Sequence, residues 1–308
     1  MTGIIAIFVF TFAISALGTP FFRRVLFKAG IIDVPSASKA HSRPTPRGAG
    51  MVMLISFILG TLVASRFFLS LGPSDIKVVF YFLSAATLIA VWGFVDDAMD
   101  LSPALKVAGQ ILASLLIIAA GIRIGLLPVI LSVPLSIFWL VGITNAYNLI
   151  DGMDGLAAGT AFVSSIVIAF LFYLNGAQLP FYLCLALAGS ILGFLPYNLH
   201  PAAVFMGDCG SMFIGLVLGA LGIMFTSQVG NYLYLFIPVI ILFVPVVDTF
   251  LSIVRRLYRK KHVLDSDLGH FYDHLRSSRK MTTGSIVSLT CFATLCSGLF
   301  AVVVYLFS

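Results

Sequence analysis

Long apolar runs alternate with short polar connectors along the whole chain. The runs fall at about 3–22, 50–72, 76–95, 103–121, 134–149, 156–174, 180–197, 210–228, 232–251 and 283–307. A helix needs roughly 20 mainly apolar residues to cross the hydrocarbon of a bilayer. The pattern therefore predicts an all-α integral membrane protein, a polytopic bundle of about ten transmembrane helices forming one domain over 1–308. Before the fifth run, residues 121–134 combine β-rich pieces with prolines and fit an external hairpin. The first run, Thr2 to Phe22, ends in Arg23-Arg24 and lacks both a preceding basic region and a small-residue cleavage site. It reads as a retained span and not as a removed signal peptide.

Composition agrees with this. The chain has 308 residues, 60% of them hydrophobic and 10% charged, with a mean hydropathy of +1.10. A soluble fold of this size could not hide that much apolar surface. The net charge of +6 suggests nucleic acid only until the cations are located. Six of the 18 lie between Arg23 and Arg47 and eight between Arg255 and Lys280, with few aromatics among them. That is the positive-inside distribution, with contacts to anionic membrane lipid or substrate, and it argues for no nucleic-acid partner. It makes the loops near 23–49, 96–102, 150–155, 198–209 and 252–282 cytoplasmic and puts both termini outside. Arg66, Lys77 and Arg123 then lie outside near span ends, where they can snorkel. The four cysteines form no CxxC pair, so neither zinc nor a disulfide framework is indicated.

The acids change the picture most. All twelve carboxylates are aspartates, and Asp96, Asp97, Asp100, Asp151, Asp154, Asp208 and Asp248 lie beside or within apolar runs. Charge at the edge of hydrocarbon is costly and is kept for function or pairing. A short, stiff Asp also makes a better fixed ligand for a hard cation than a flexible Glu. In the predicted topology the first six of these acids and all five histidines face the cytoplasm, so the chemistry does too.

Five segments carry it. In Trp92–Pro103, Ser102 and Pro103 read as the cap and first residue of the next helix, but capping does not need Asp96, Asp97 and Asp100. In Asn145–Leu156, Asn145, Asn148, Asp151 and Asp154 recur every three residues and could share a helix face before Gly152 and Gly155 break it. Their oxygens suit Mg²⁺, which takes one or two carboxylates plus phosphate oxygens and water; a capped glycine-rich turn is the alternative, but four such residues at the mouth of apolar spans favour a site. In Pro196–Ser211, Gly207 and Gly210 flank Asp208 at a helix start whose free N–H groups favour anions, and Asp208 or Ser211 could equally be the cap. In the basic segment, His270 and His274 are four apart and would share a helix face. Their spacing is weak for zinc and better for pyrophosphate contacts. In His41–Gly50 the prolines impose an extended loop that presents Arg43 and Arg47.

Together these segments resemble the polyprenyl-phosphate N-acetylhexosamine-1-phosphate transferase family. HSRPTPRGAG, GFVDDAMDLSP, NAYNLIDGMDGLAAG and NLHPAAVFMGDCGS look like its cytoplasmic motifs in order, and the likeness covers nearly the whole chain. The resemblance implies transfer of a sugar-1-phosphate from a UDP-N-acetylhexosamine to undecaprenyl phosphate, with release of UMP. It further implies dependence on Mg²⁺ (or Mn²⁺ in its place), residence in the bacterial inner membrane with a cytoplasmic active site, and a homodimer as a candidate assembly. Carried over residue by residue, Asp208 looks like the main metal ligand, with Asn148 beside it. Asp96, Asp97 and Asp151 look catalytic, the pair as base, nucleophile or metal support. His41, Arg43, Asn145, Asp154, His270 and His274 look like substrate contacts, Asp154 at the nucleoside end. One motif departs: His270-Phe271-Tyr272-Asp273-His274 stands where many members have His-x-His-His. That leaves the sugar open and points away from the peptidoglycan branch toward O-antigen or another envelope polysaccharide. A transporter, which would explain Asp248 equally well, and a CDP-alcohol phosphotransferase are the alternatives. The latter's Asp-Gly-x-x-Ala-Arg opening is not met at Asp151.

Overall fold

The computed structural model describes residues 2–35, 43–229, 232–258 and 269–307. The helices are α1 (Thr2–Ala29), α2 (Gly50–Phe67), α3 (Pro73–Met99), α4 (Pro103–Ala119), α5 (Val129–Ile150) and α6 (Leu156–Leu174). They continue with α7 (Gln178–Asn198), α8 (Gly207–Val229), α9 (Phe236–Ile241), α10 (Phe243–Tyr258), α11 (Phe271–Ser278) and α12 (Thr283–Phe307). Eight of them are long and apolar enough to cross a membrane. The pair formed by Tyr232–Ile241 and Phe243–Tyr258, and the shorter apolar α4, complete the ten segments that the hydropathy pattern predicts. The chain is an all-α polytopic membrane protein.

Two expectations need correction. Residues 121–134 contain no strand; the chain turns and α5 begins at Val129, with Pro134 inside it. The ninth segment is not one straight span, because it bends by 84° between Ile241 and Phe243. Pro245 explains the break: its ring would clash with the carbonyl of Ile241 and it has no N–H to donate there. In the first turn of a new helix the same residue is tolerated.

Helix α8 is the axis of the molecule. It packs against α2 through α7 and α9, and its apolar residues run all round, as a helix buried on every side requires. Small residues let its neighbours come close. A Cβ on Gly210 would meet the Gly50 Cα at 3.1 Å, and one on Gly215 would meet the Thr144 Cα at 2.6 Å. Without a hydrophobic drive between helices in lipid, such close packing supplies the association energy. Buried hydroxyls such as Thr11, Ser114 and Thr144 return their protons to carbonyls of the preceding turn, so they demand no partner from the lipid.

At one end of the bundle two short strands, β1 (Ile32–Asp33) and β2 (Thr45–Pro46), pair antiparallel. The proline-rich loop is extended there, as its sequence demands. The residues just after it run beside the entry to α8, where Ala49 N donates to Phe205 O at 3.1 Å and Gly50 N to Met206 O at 3.0 Å.

Candidate active site

The entry to α8 organises the acids. Gly207 has φ +70, open to glycine at no cost, and a Cβ there would lie 2.3 Å from Asp97 Oδ2. Into that space comes Asp97 from the last turns of α3. Its two oxygens accept from the backbone N–H of Asp208 at 3.0 Å and of Cys209 at 3.2 Å. Asp97 is buried and acts as the cap of α8, meeting orphan donors and the positive end of the helix dipole.

Asp96 points to the other side. Its Oδ1 accepts from Leu101 N at 2.7 Å, and its Oδ2 is paired with the Lys106 ammonium. Lys106 also reaches Asp208 Oδ2 at 2.8 Å. Asn148 donates to Asp208 Oδ1 at 2.8 Å and to Ser211 Oγ at 3.0 Å. Asp96, Asp208, Lys106 and Asn148 are thus joined in one network, with Asp97 bonded to the same helix end. Lys106 was not singled out from the sequence, where a lone lysine one turn into an apolar run reads as a topology signal. Its place four residues after Ser102, whose hydroxyl accepts from Leu105 N as the helix cap, was the available clue.

Asp151 follows α5 and accepts no hydrogen bond among the described residues. Burial, and then the charges of Asp208, Asp97 and Asp154, hold its carboxyl well above the usual carboxylate range. The turn behind it is fixed by Gly155, at φ +77, whose N–H donates to Asn198 Oδ1 at 3.1 Å. Asp154 is tied to the neighbouring loop, accepting from Ala202 N at 3.1 Å and lying 2.8 Å from His200 Nδ1. The three-residue spacing does not put all four polar residues on one network. Asn145 lies two turns back in α5, its amide paired with that of Gln110 at 2.7 and 3.1 Å.

Of the remaining predicted contacts, His41 lies outside the described residues. Arg43 is exposed, and its carbonyl accepts from Thr45 Oγ1. Arg47 pairs with Asp100 at 3.0 Å, bringing the proline-rich loop to the end of α3. His270 and His274 do not share a helix face: His270 precedes α11 in extended backbone, with its N–H on Asp273 Oδ2 at 3.2 Å, and His274 is exposed on the helix. His270 instead pairs with Asp248.

Among the described residues no three His, Cys, Asp or Glu side chains are grouped closely enough to hold a metal. The donor set still fits Mg²⁺, which is held by one or two carboxylates together with substrate phosphates and water and not by an all-protein cage. Asp96 and Asp208 already face a shared cation, the Lys106 ammonium.

Comparison with known proteins covers this same region. The glycosyl transferase family 4 signature matches residues 79–226, which span Asp96 through Asp208. A probable undecaprenyl-phosphate N-acetylglucosaminyl 1-phosphate transferase of Bacillus subtilis (strain 168) is 33% identical over 285 residues, covering 89% of this chain and 78% of that protein. A decaprenyl-phosphate N-acetylglucosaminephosphotransferase of Mycolicibacterium smegmatis is 31% identical over 300 residues, covering 85% and 72%. A phospho-N-acetylmuramoyl-pentapeptide-transferase of Geobacillus sp. is 32% identical over 243 residues, covering 72% and 74%.

Proposed function

This chain belongs to glycosyl transferase family 4, the polyprenyl-phosphate hexosamine-1-phosphate transferases, and from that premise we propose that it transfers N-acetylglucosamine-1-phosphate, or a closely related N-acetylhexosamine-1-phosphate, from a UDP-sugar to undecaprenyl phosphate. The product would start O-antigen or another cell-envelope polysaccharide at the cytoplasmic face of a bacterial inner membrane. The observation that carries the reading is the convergence of Asp96, Asp97, Asn148, Asp208 and Lys106 on one end of α8. The likeness over most of the chain to relatives named for N-acetylglucosamine phosphotransfer supports the choice of sugar.

An oxygen of the acceptor phosphate attacks the β-phosphorus of the donor. The new bond is acceptor oxygen to β-phosphorus, the bond broken joins that phosphorus to the bridging oxygen, and UMP leaves with the bridge. The acceptor is already anionic at neutral pH and needs little activation. The difficulty is to bring one anion against another, which makes positioning and charge neutralisation the main tasks. Lys106 and Arg47 supply fixed positive charge at the site end. Asp208 and Asp96, with Asn148 beside them, are the residues that would hold Mg²⁺. When bound, the ion would neutralise donor phosphate charge. Asp97 keeps the α8 entry in register, and the apolar exterior lets a lipid acceptor stay in the bilayer while its head meets a soluble nucleotide.

The test is an assay in detergent or membranes with undecaprenyl phosphate, Mg²⁺ and a panel of UDP-N-acetylhexosamines, following UMP and lipid-linked sugar. Lipid-dependent UMP from one donor, lost in a folded Asp208→Asn variant and on chelation, is the expected result. No UMP from any donor, or full turnover in Asp208→Asn, would overturn the reading.

A further inference from the structure

The reaction above uses carboxylates at the end of α3 and the start of α8, with an amide from α5, and leaves Asp248 unassigned. Asp248 lies within the apolar stretch of α10 and is 1% exposed. An acid in such a place is costly unless its oxygens are met. Both are met, by two consecutive residues at the start of α11. Asp248 Oδ2 lies 2.7 Å from His270 Nδ1, and Oδ1 accepts from Phe271 N at 3.0 Å. The carboxylate therefore grips the imidazole and the backbone that carries it.

The imidazole in turn faces the phosphotransfer site through one ring. His270 stacks on Tyr272 with centroids 5.2 Å apart and planes 5° from parallel. The Tyr272 hydroxyl reaches Leu149 O at 3.5 Å and fills the space beside Gly152, where a Cβ would lie 2.3 Å from it. Leu149 and Gly152 flank Asp151. A chain of contacts thus runs from Asp248 through His270 and Tyr272 to the turn that bears the site. Ser252 Oγ, at 3.4 Å, and Asp248 both face Nδ1. Nε2 has no hydrogen-bond partner among the described residues, although the ring is largely buried and Nε2 is not sealed from solvent. A ring nitrogen left open in this way on a largely buried side chain is available to a polar group of a ligand, while the partner on the other nitrogen fixes the tautomer.

We propose that Asp248 is a positioning residue: it holds the proton of His270 on Nδ1 and so presents Nε2 to the bound nucleotide-sugar donor. The donor half of this rests on the function proposed above. The clamp itself can be read without turnover. In protein labelled with ¹⁵N-histidine, the His270 signal, identified by its loss in His270→Gln, should show a protonated Nδ1, and Asp248→Asn should shift it. Asp248→Asn should also lower kcat/KM for the donor by about 10- to 100-fold, the usual effect of removing such an orienting partner. In a His270→Gln background the same substitution should cost nothing further, because its effect passes through the imidazole. An unprotonated Nδ1 in the wild type would overturn the proposal without any Asp248 variant being folded. Losses that multiply in the double variant would overturn it too, assigning Asp248 to the fold alone. A wild type that transfers no hexosamine phosphate would fell the functional reading, while the Nδ1 signal would still decide the clamp.

Discussion

Lys106 holds together two carboxylates that would otherwise repel. Replacing it with methionine keeps the apolar stem and leaves Asp96 and Asp208 facing each other without a cation. In chelator the Lys106→Met protein should melt below the wild type, and Mg²⁺ should raise its melting temperature more than it raises that of the wild type. The linkage scale is about 2.7 kcal/mol at a hundredfold excess over Kd, and equal Mg²⁺ responses would refute this account. Asp151 makes the complementary case. Its folded carboxyl titrates well above the usual value because of burial and three neighbouring acids. Its contribution to stability is therefore full below the unfolded value of about 3.9 and is lost as pH rises through the folded one. In chelator, Asp151→Asn should melt above the wild type near neutral pH and differ little near pH 4. A constant offset between the two melting profiles would contradict the cause assigned here. Asp96, Asp97, Asp151 and Asp208 were legible in the sequence because acids at the edge of hydrocarbon are conspicuous. The capping role of Asp97 was not, because its partners lie 111 and 112 residues away. The Asp248–His270 pair was hidden for the same reason.

Helix packing sets how closely these residues meet, and glycines set the packing. Gly93 on α3 lies against the first turn of α8, where a Cβ would come within 2.6 Å of the carbonyl of Asp208 and the nitrogen of Cys209. Those are backbone atoms and cannot swing aside. Gly93→Ala should therefore cost about 1–3 kcal/mol as an overpacking change and should lower turnover by moving Asp96 and Asp97 relative to Asp208. Gly142, in α5, has nothing within 4 Å of its would-be Cβ. Gly142→Ala should be neutral or stabilising by up to about 1 kcal/mol. Paired thermal melts and initial rates check both, and a benign Gly93→Ala would show that the α3–α8 contact is slack. The hydropathy pattern located all ten apolar segments because lipid imposes length and composition on each. It missed the 84° bend because a window average does not register a single proline. Pro245, four residues after Ile241, was the readable sign. Likewise, spacing of four predicted a shared face for His270 and His274, yet the bonds from Asp248 to His270 and Phe271 hold His270 outside the helix that carries His274.

At the scale of the whole molecule, the placement of the cations makes an orientation in the membrane testable. The cations between Arg23 and Arg47 precede or accompany the loop that pairs with Phe205 and Met206 beside the α8 entry. Arg276, Arg279 and Lys280 lie in or just after α11, which docks on the turn bearing Asp151. The described cations of both clusters therefore lie toward the end of the bundle that holds the acids, and on the positive-inside rule we propose that this end faces the cytoplasm. Under the function proposed above the consequence is chemical as well as topological, because a nucleotide sugar made in the cytoplasm would have to reach the acids without crossing the bilayer. Single cysteines introduced at Ser278, the last residue of α11, and at Ser74, in the first turn of α3, distinguish the two faces. A membrane-impermeant maleimide should label Ser74→Cys in intact spheroplasts and Ser278→Cys only in inverted vesicles, with the wild type, whose own four cysteines are Cys184, Cys209, Cys291 and Cys296, as baseline. Inverted vesicles should also be the preparation in which added UDP-sugar is consumed. Labelling of Ser278→Cys from outside would reverse the orientation, and the site would then face a compartment with no supply of its donor.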